Sequence, residues 1–455
     1  GPLLLFTSLH LWSLKRFLQV PSYANGILIG VVMAGLLYSK YHGVILILFS
    51  ILPCLAWLIR QPAAWLAVVV GAALYAPHLY WQYAHDYPSF RYHLSGRNDP
   101  YELKFTTEYL LNQLVIFNPF LLYFYFKALL RRPQKEGMQS ADYRFHQSCR
   151  WLIFLTLGFF LYSTTKGGTE AQWTALLSIP LIYLLYRAFL EQASWEKWLL
   201  RVGYLSLGLF LVARLALIAP REWLPFQKPF DAQPWVEQLA EQANGLPVLF
   251  ENSYRDASHY RFYAPGEKAW TFTDVDYRPN QYDIWVDDTS FHHQKVLVAG
   301  KENWMTPNSK PFDHGRHHLN LQVVDSFQVA KLASLSLVNP VPPQMFHKQS
   351  IQLDIMVELN ELAEGEQLDL DAGLPLQLYA IFQYVGDGWQ WFPLEPLRRK
   401  TIVVGDKQLL YRGTFEVPDS LPETELLFQL GLGYEGMPPL RGQSELWPVT
   451  VRTER

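Results

Sequence analysis

The chain has 455 residues, half of them hydrophobic and 17% charged, with a formal net charge of −3 and only two cysteines. That length suggests about three domain-sized units. The charge balance is neutral on nucleic acid, but no basic cluster interleaved with aromatics occurs in the polar half, which sets nucleic-acid binding aside. Cys54 and Cys149 fall in or beside apolar runs. They have no metal-ligand spacing and imply no disulfide framework.

The mean hydropathy of 0.00 hides two unlike halves. Up to about Pro220 the chain is a series of long apolar runs, and beyond it the sequence is mixed in charge. The chain opens at Gly1 inside a hydrophobic segment, GPLLLF, without a signal-peptide n-region. The expectation is a fragment with further sequence upstream.

A membrane-spanning helix needs roughly twenty mostly apolar residues. About eight candidates follow in order: residues 2–18, 25–38, 43–59, 63–81, 106–130, 151–163, 171–190 and 199–219. One alternate set of connections carries Lys15, Arg16, Arg60, Arg131, Arg132, Lys135, Arg144, Arg150, Arg187, Lys197 and Arg201. The other carries Lys40, Arg91, Arg97, Lys104 and Lys166. The richer set belongs in the cytoplasm. The poorer set, with everything after Pro220, is then extracytoplasmic, and the scarcity of cysteine suggests a bacterial periplasm.

Three short elements share that outer face: SKYHG (39–43), APHLYWQYAHDYPSFRYHLSGR (76–97) and TTKGGTEAQW (164–173). The second gathers His78, Trp81, His85, Asp86, Ser89, Arg91, His93 and Arg97 among tyrosines and Phe90. Aromatics collect at membrane interfaces as a bland belt. Ionisable groups at this density are costly there unless they face a cavity or ligand. Lys40 and Lys166 either snorkel to the interface or grip a lipid phosphate as compact cations. Gly167 and Gly168 allow close backbone approach. Glu170 and Trp173, three residues apart on one helical face, suit a sugar that places its hydroxyls on the acid and its apolar face on the ring.

After a linker rich in Pro and aromatics, residues 234–244 read as a helix, 246–251 as a strand, 252–263 as a helix and 295–299 as a buried strand. This alternation predicts an α/β unit. From about residue 326, strand-like runs separated by Gly, Pro and Asp turns predict a β-sandwich. The expected domains are therefore 1–220, helical and transmembrane; 221–325, α/β; and 326–455, β-sandwich. No Walker A loop, HExxH, paired CxxC or GxSxG occurs. FDHGRHH (312–318) and His292–His293 offer imidazoles, but without an anchored carboxylate at helical spacing the histidines of a surface loop are the simpler reading.

GPLLLF, LLYSKYHGVILI, PHLYWQYAHDYPSFRYHL and KGGTEAQW together resemble the GT-C class of polytopic transferases that use polyprenyl-phosphate-linked sugars. This superfamily includes the dolichyl-phosphate-mannose–protein mannosyltransferases and the lipid A aminoarabinose transferases. ENSYRDASHYRFY and YRPNQYDIW look like its Bacteroidetes branch. The resemblance implies an inverting membrane glycosyltransferase. A sugar moves from the lipid-phosphate donor to an extracytoplasmic acceptor that is a lipid, glycan or protein. By matching position it implies Lys40 and Lys166 for the donor phosphate. Tyr41, His42, His85, Asp86, Ser89, Phe90, Glu170 and Trp173 would line the sugar and acceptor cavity. In such enzymes the catalytic acid sits in the first outer loop, which would lie upstream of Gly1. No nucleotide is needed and no cofactor is certain; a divalent metal is compatible with the chemistry, but no residue pattern indicates one. The implied location is a bacterial inner membrane, multi-pass, with the C-terminal part periplasmic. Two rivals are a lipid-linked-sugar flippase and a non-catalytic membrane-anchored binding protein. A flippase predicts ionisable residues near mid-helix and inverted repeats, whereas most charges here cluster at helix ends, with Arg214 the main exception. A bare anchor predicts featureless outer loops.

Overall fold

The computed structural model describes residues 1–85, 87, 89–90, 100–131, 140–192, 195–219, 232–285, 287–315, 317–359, 364–384, 388–405 and 407–453. The chain divides into two compact units, Gly1–Phe226 and Gln227–Arg455.

The first unit is helical: α1 (Pro2–Gln19), α2 (Tyr23–Ser39), α3 (Gly43–Ile51), α4 (Leu55–Leu58), α5 (Pro62–Ala84), α6 (Leu103–Ile116), α7 (Leu122–Leu130), α8 (Ser140–Ser163), α9 (Ser178–Glu191) and α10 (Glu196–Ile218). Local chemistry sets several boundaries. α1 and α5 start with proline in the first turn, where a missing N–H costs nothing. Ser22 caps α2 by accepting the Asn25 N–H at 3.3 Å.

Two apolar runs read as single spans are broken. The run 43–59 contains Pro53, and a 3₁₀ turn (Leu52–Cys54) separates α3 from α4. The run 106–130 stops at Asn118, which adopts φ +60° just before Pro119, and α6 and α7 flank that turn. A residue before proline is pushed out of the helical region. The run 151–163 is only the C-terminal half of α8, whose first half is polar.

Among the described residues three helical segments are long and apolar enough to cross a membrane: Pro62–Ala84, Ala171–Glu191 and Glu196–Ile218. The expectation of about eight such helices is therefore corrected. At 1.5 Å per residue, a 14-residue helix such as α6 rises about 21 Å, short of the ~30 Å hydrocarbon core. α10 has no buried residue and exposes Leu205, Leu207, Phe210, Val212 and Leu217 around its circumference. A helix apolar all round calls for an apolar medium.

α2 and α5 pack closely because small residues line their contact. A Cβ built on Gly30 would stand 2.6 Å from the Ala67 carbonyl oxygen and 3.0 Å from the Val70 Cβ, both on α5. Gly71 approaches the Gly30 carbonyl within 3.3 Å of where its Cβ would be. Small-residue stripes allow backbone-to-backbone contact inside an apolar medium. Gly30→Leu is expected to push the two helices apart at a cost of about 1–3 kcal/mol. A thermal melt in detergent checks it, and a melting point equal to wild type would remove this contact from the account.

The second unit begins with α11 (Gln233–Ala243), then β1 (Val248–Glu251), α12 (Tyr254–Tyr263), β2 (Ala269–Phe272), β3 (Val296–Lys301), β4 (Lys310–His314) and β5 (His317–Val324). They form one sheet in the order β2-β1-β3-β5-β4, with β1 parallel to both neighbours and β5 antiparallel to β3. All four residues of β1 are buried, as a central parallel strand covered on both faces requires. Of the histidine segment read as a surface loop, Phe312–His314 end β4 and His317–His318 begin β5, with His314 opposite His317.

The remainder is β-rich. A five-stranded sheet contains β7 (Gln344–Phe346), β10 (Leu376–Tyr384), β11 (Trp389–Pro393), β14 (Glu425–Tyr434) and β15 (Trp447–Arg452). A three-stranded sheet contains β6 (Ala333–Leu337), β8 (Ser350–Leu359) and β13 (Gln408–Glu416), and a two-stranded one contains β9 (Gln367–Asp369) and β12 (Thr401–Val403). β8 alternates buried and solvent-facing residues, the signature of a half-covered strand. Phe382 of β10 stacks on Phe415 of β13 at 6.0 Å and meets Phe428 of β14 edge-on at 5.2 Å, so the two larger sheets share a core. That core is continuous with the one under the α/β sheet, from Trp235 and Phe250 to Phe428.

Candidate functional site

α2 ends at Ser39, and the extended backbone of the next residue, Lys40 (φ −171°), turns the chain out of the helix. The Gly43 N–H then bonds the Lys40 carbonyl at 2.8 Å and α3 begins. This turn sends consecutive side chains to two walls. Tyr41 faces the end of α5, where its hydroxyl meets His78 Nε2 at 2.7 Å and accepts from Gln82 Nε2 at 2.8 Å. His42 faces the opposite way, with its ring 5.1 Å from Trp173 and 5.4 Å from Phe160. Lys40 places its ammonium 5.9 Å from the Trp173 ring centroid, within cation–π range.

On that second wall Glu170 is a local anchor. One of its oxygens, Oε2, accepts from both Trp173 Nε1 (3.1 Å) and Gln172 Nε2 (2.6 Å). A cation, a carboxylate and an indole face therefore stand together at a helix end. α6 braces the segment that carries them. Thr106 and Thr164 share a hydroxyl bond of 2.8 Å, Thr174 donates to Gln113 Oε1 at 2.7 Å, and Tyr109 donates to the Leu157 carbonyl at 2.8 Å. Gly167 sits at φ +144°, a backbone region that side chains disfavour.

On the first wall, Gln82 is fully buried and joins α5 to the chain beyond it. Its Nε2 also donates to Ser89 Oγ at 3.0 Å, and its Oε1 accepts the Ser89 N–H at 3.3 Å. Phe90 lies 6.2 Å from the Tyr41 ring.

The structure thus brings Lys40, His42, Glu170 and Trp173 together on one side of the turn, and Tyr41, Ser89 and Phe90 together on the other. Two expected residues join neither group. His85 turns back on its own helix, stacks on Trp81 at 4.4 Å and donates from Nδ1 to the Trp81 carbonyl. Lys166 is exposed on the 3₁₀ turn Thr164–Lys166, and no hydrogen bond, ion pair or ring contact involves it among the described residues. Asp86, with Arg91, His93 and Arg97, lies outside the described residues. Gln82, Gln113, Thr106, Thr174 and Phe160 escaped the sequence reading. An uncharged polar residue in an aromatic helix, four positions after His78, was the available signal for Gln82.

The second unit has its own polar clusters. At the end of β1, Glu251 accepts the Lys301 N–H at 2.8 Å, and its other oxygen lies 3.8 Å from the Lys301 ammonium. Asp274 accepts from Asn252 Nδ2 at 2.6 Å. Burial pushes both carboxyls above the usual range, and the Lys301 charge opposes it. Such groups bind more protons folded than unfolded, so their share of stability is present at low pH and is lost as pH rises through the raised folded value. Melting temperature is therefore expected to fall as pH climbs above 4.5, the ordinary glutamate value. Glu251→Gln should flatten that fall. Parallel wild-type and variant curves in a pH series of melts would assign the slope elsewhere.

His292, His293 and Glu366 offer ligand atoms within 4.8 Å of one another, the one such grouping among the described residues. The His292 ring is already committed on both sides. Nε2 donates to the Gln367 carbonyl at 2.9 Å, and Nδ1 accepts the Val329 N–H at 3.2 Å. A metal would have to displace one of these bonds, so the ring is a backbone staple, and burial holds its pKa below the ordinary histidine value. His318 pairs with Asp313 at 2.7 Å on the surface, and that hydrogen bond raises its pKa.

No family model matches the chain, and no curated protein does. Among solved structures, a Pseudomonas fluorescens alkylpurine DNA glycosylase, AlkC, bound to DNA containing an abasic-site analogue, aligns at 14% identity with a TM-score of 0.18. The alignment covers 27% of this chain and 31% of that one, and a likeness at that level carries no argument about fold or function.

Proposed function

We propose that the helical unit is a membrane glycosyltransferase that moves a sugar from a polyprenyl-phosphate donor to an extracytoplasmic lipid, glycan or protein, inverting the anomeric carbon. The observation that carries this reading is the grouping of Lys40, His42, Glu170 and Trp173 at one helix end. A glycosyl phosphate already holds a good leaving group. The protein must neutralise phosphate charge as the sugar–phosphate bond breaks, and a positioned cation does so. Lys40 fills that role, with Lys166, exposed on the turn Thr164–Lys166, as a second cation. Trp173 supports the apolar face of the sugar, and Glu170 accepts from its hydroxyls. The remaining task is to take a proton from the acceptor. On this reading the chain is a multi-pass bacterial inner-membrane protein. Its second unit is periplasmic, an α/β part followed by a β-sandwich.

The test is reconstitution of the full-length protein in liposomes with a polyprenyl-phosphate-linked sugar. Donor cleavage that depends on acceptor, with release of polyprenyl phosphate, is the expected result. Movement of the intact donor across the bilayer without cleavage would replace the transferase by a flippase.

A further inference from the structure

A second group of cations lies at the opposite end of the helical unit from Lys40. Lys15 stands in the last turns of α1, next to Arg16, whose Nε donates to Asn25 Oδ1 in the first turn of α2 at 2.9 Å. Lys40 follows the far end of that 17-residue helix, about 25 Å along. Around Lys15, α1, α8 and α9 pack on one another. Lys15 is half-buried, and its ammonium stands 5.8 Å from the ring centroids of both Phe145 on α8 and Tyr183 on α9. Those rings meet edge-on at 4.9 Å, and Phe145 is buried. One turn after Tyr183, Arg187 is half-buried as well. Neither cation has an ion pair or hydrogen bond among the described residues. Glu191, the acid one turn beyond Arg187, is taken by Arg131 at 3.0 Å. Asp142 on α8 acts on Tyr183 but forms no ion pair with either cation. Beside them His146 is 6% exposed, its Nδ1 has no hydrogen-bond partner, and the charges of Arg150 and Arg187 reach its ring. Arg150 has an interaction of its own, and the site does not depend on it.

Partly buried charges without a counter-charge are costly. A lysine at a bundle end ordinarily relieves that cost by snorkelling outward. Lys15 is instead held over two packed rings, with a second cation near the same phenol. Lysine and arginine only donate hydrogen bonds, and a phenol can donate one. Such a group suits an anion with several acceptor oxygens, for which charge-assisted bonds are strongest. We infer that Lys15, Arg187 and the Tyr183 hydroxyl bind a phosphate group, carried by an anionic lipid headgroup or free in solution, with buried His146 beside it. A choline headgroup brings its own cation and cancels the charge that the site would recognise. The site is separate from the Lys40, Glu170 and Trp173 grouping, and it holds whether or not the protein transfers a sugar.

The experiment needs no turnover. Full-length protein in neutral detergent is melted alone, with phosphatidylglycerol, with phosphatidylcholine, and with inorganic phosphate against chloride at equal ionic strength. A ligand that binds the folded state raises the melting point. Wild type should gain from phosphatidylglycerol and not from phosphatidylcholine. A gain from the lipid alone assigns the site to a headgroup, and a gain from inorganic phosphate as well shows that the phosphate group suffices. Wild type indifferent to both phosphatidylglycerol and phosphate overturns the site without any variant. Lys15→Met and Arg187→Gln keep much of each side chain's stem, and each should weaken phosphatidylglycerol binding about tenfold in a native mass-spectrometry titration. Lys197→Gln, which removes an exposed cation of α10, should leave it unchanged. A response that survives both site substitutions, or that Lys197→Gln weakens as much, would reduce the effect to general attraction and reject the site. Sugar transfer by a protein indifferent to these anions would reject the site and leave the glycosyltransferase reading standing.

Discussion

On the proposed glycosyltransferase reading, Lys40→Ala in the full chain is expected to lower sugar transfer by about 10²–10³, the usual cost of losing one group that stabilises transition-state charge. Insertion and expression should stay normal, because Lys40 is exposed and lies beyond the end of α2. Among the described residues no carboxylate pairs with Lys40. Its ammonium lies over the Trp173 face, a contact that leaves the charge in place. A cation in that state can meet an incoming phosphate. Lys40→Arg should recover part of the rate, since the charge returns with different geometry. Lys166→Ala should cost less, because no contact fixes that side chain in place. Steady-state rates on reconstituted protein decide the matter, and an unchanged rate for Lys40→Ala would reject the phosphate grip.

Trp304→Ala is expected to destabilise the second unit by about 3–5 kcal/mol, the range for truncating a large buried aromatic. Trp304 is 2% exposed and sits where the α/β sheet meets the β-rich part. Its ring covers Gly300 of β3 so closely that any Cβ there would collide with it. Its indole donates to the Glu435 carbonyl at 3.1 Å, and a Cβ on Gly436 would lie 3.3 Å from the same ring. Nearby, the Val275 N–H bonds the Pro439 carbonyl at 3.0 Å, and Arg441 donates to the Val275 carbonyl at 2.6 Å. Removing the indole leaves a cavity and one unpaired carbonyl at this seam. Chemical denaturation of the full chain followed by tryptophan fluorescence should show the loss. If only the α/β part melted early, the two parts would not form one cooperative core.

Much of the local structure was legible. Apolar runs gave helices near the expected places because burial or lipid contact rewards them locally. The strands at 248–251 and 296–301 followed from short buried runs between turn residues. The helix count failed for reasons also written in the chain. Pro53 and the Asn118–Pro119 pair break runs that hydropathy alone joins, and proline geometry overrides hydropathy at those points. The residues grouped at that helix end were visible in the sequence only as types: a lysine beside an aromatic turn, and an acid three residues before a tryptophan.

Sequence by itself determined the character of most helical and extended segments, where charge accumulates and which residue types stand at helix ends, because these depend on neighbours a few positions away. Only the tertiary structure decided that Tyr41 meets His78, 37 positions on, and that Lys40 and His42 meet Trp173. Those meetings depend on how closely α2 lies on α5, where Gly30 lets two backbones approach, and on how α6 braces the 164–174 segment. Close packing across long gaps in the chain is a property of the assembled helices, and no local pattern encodes it.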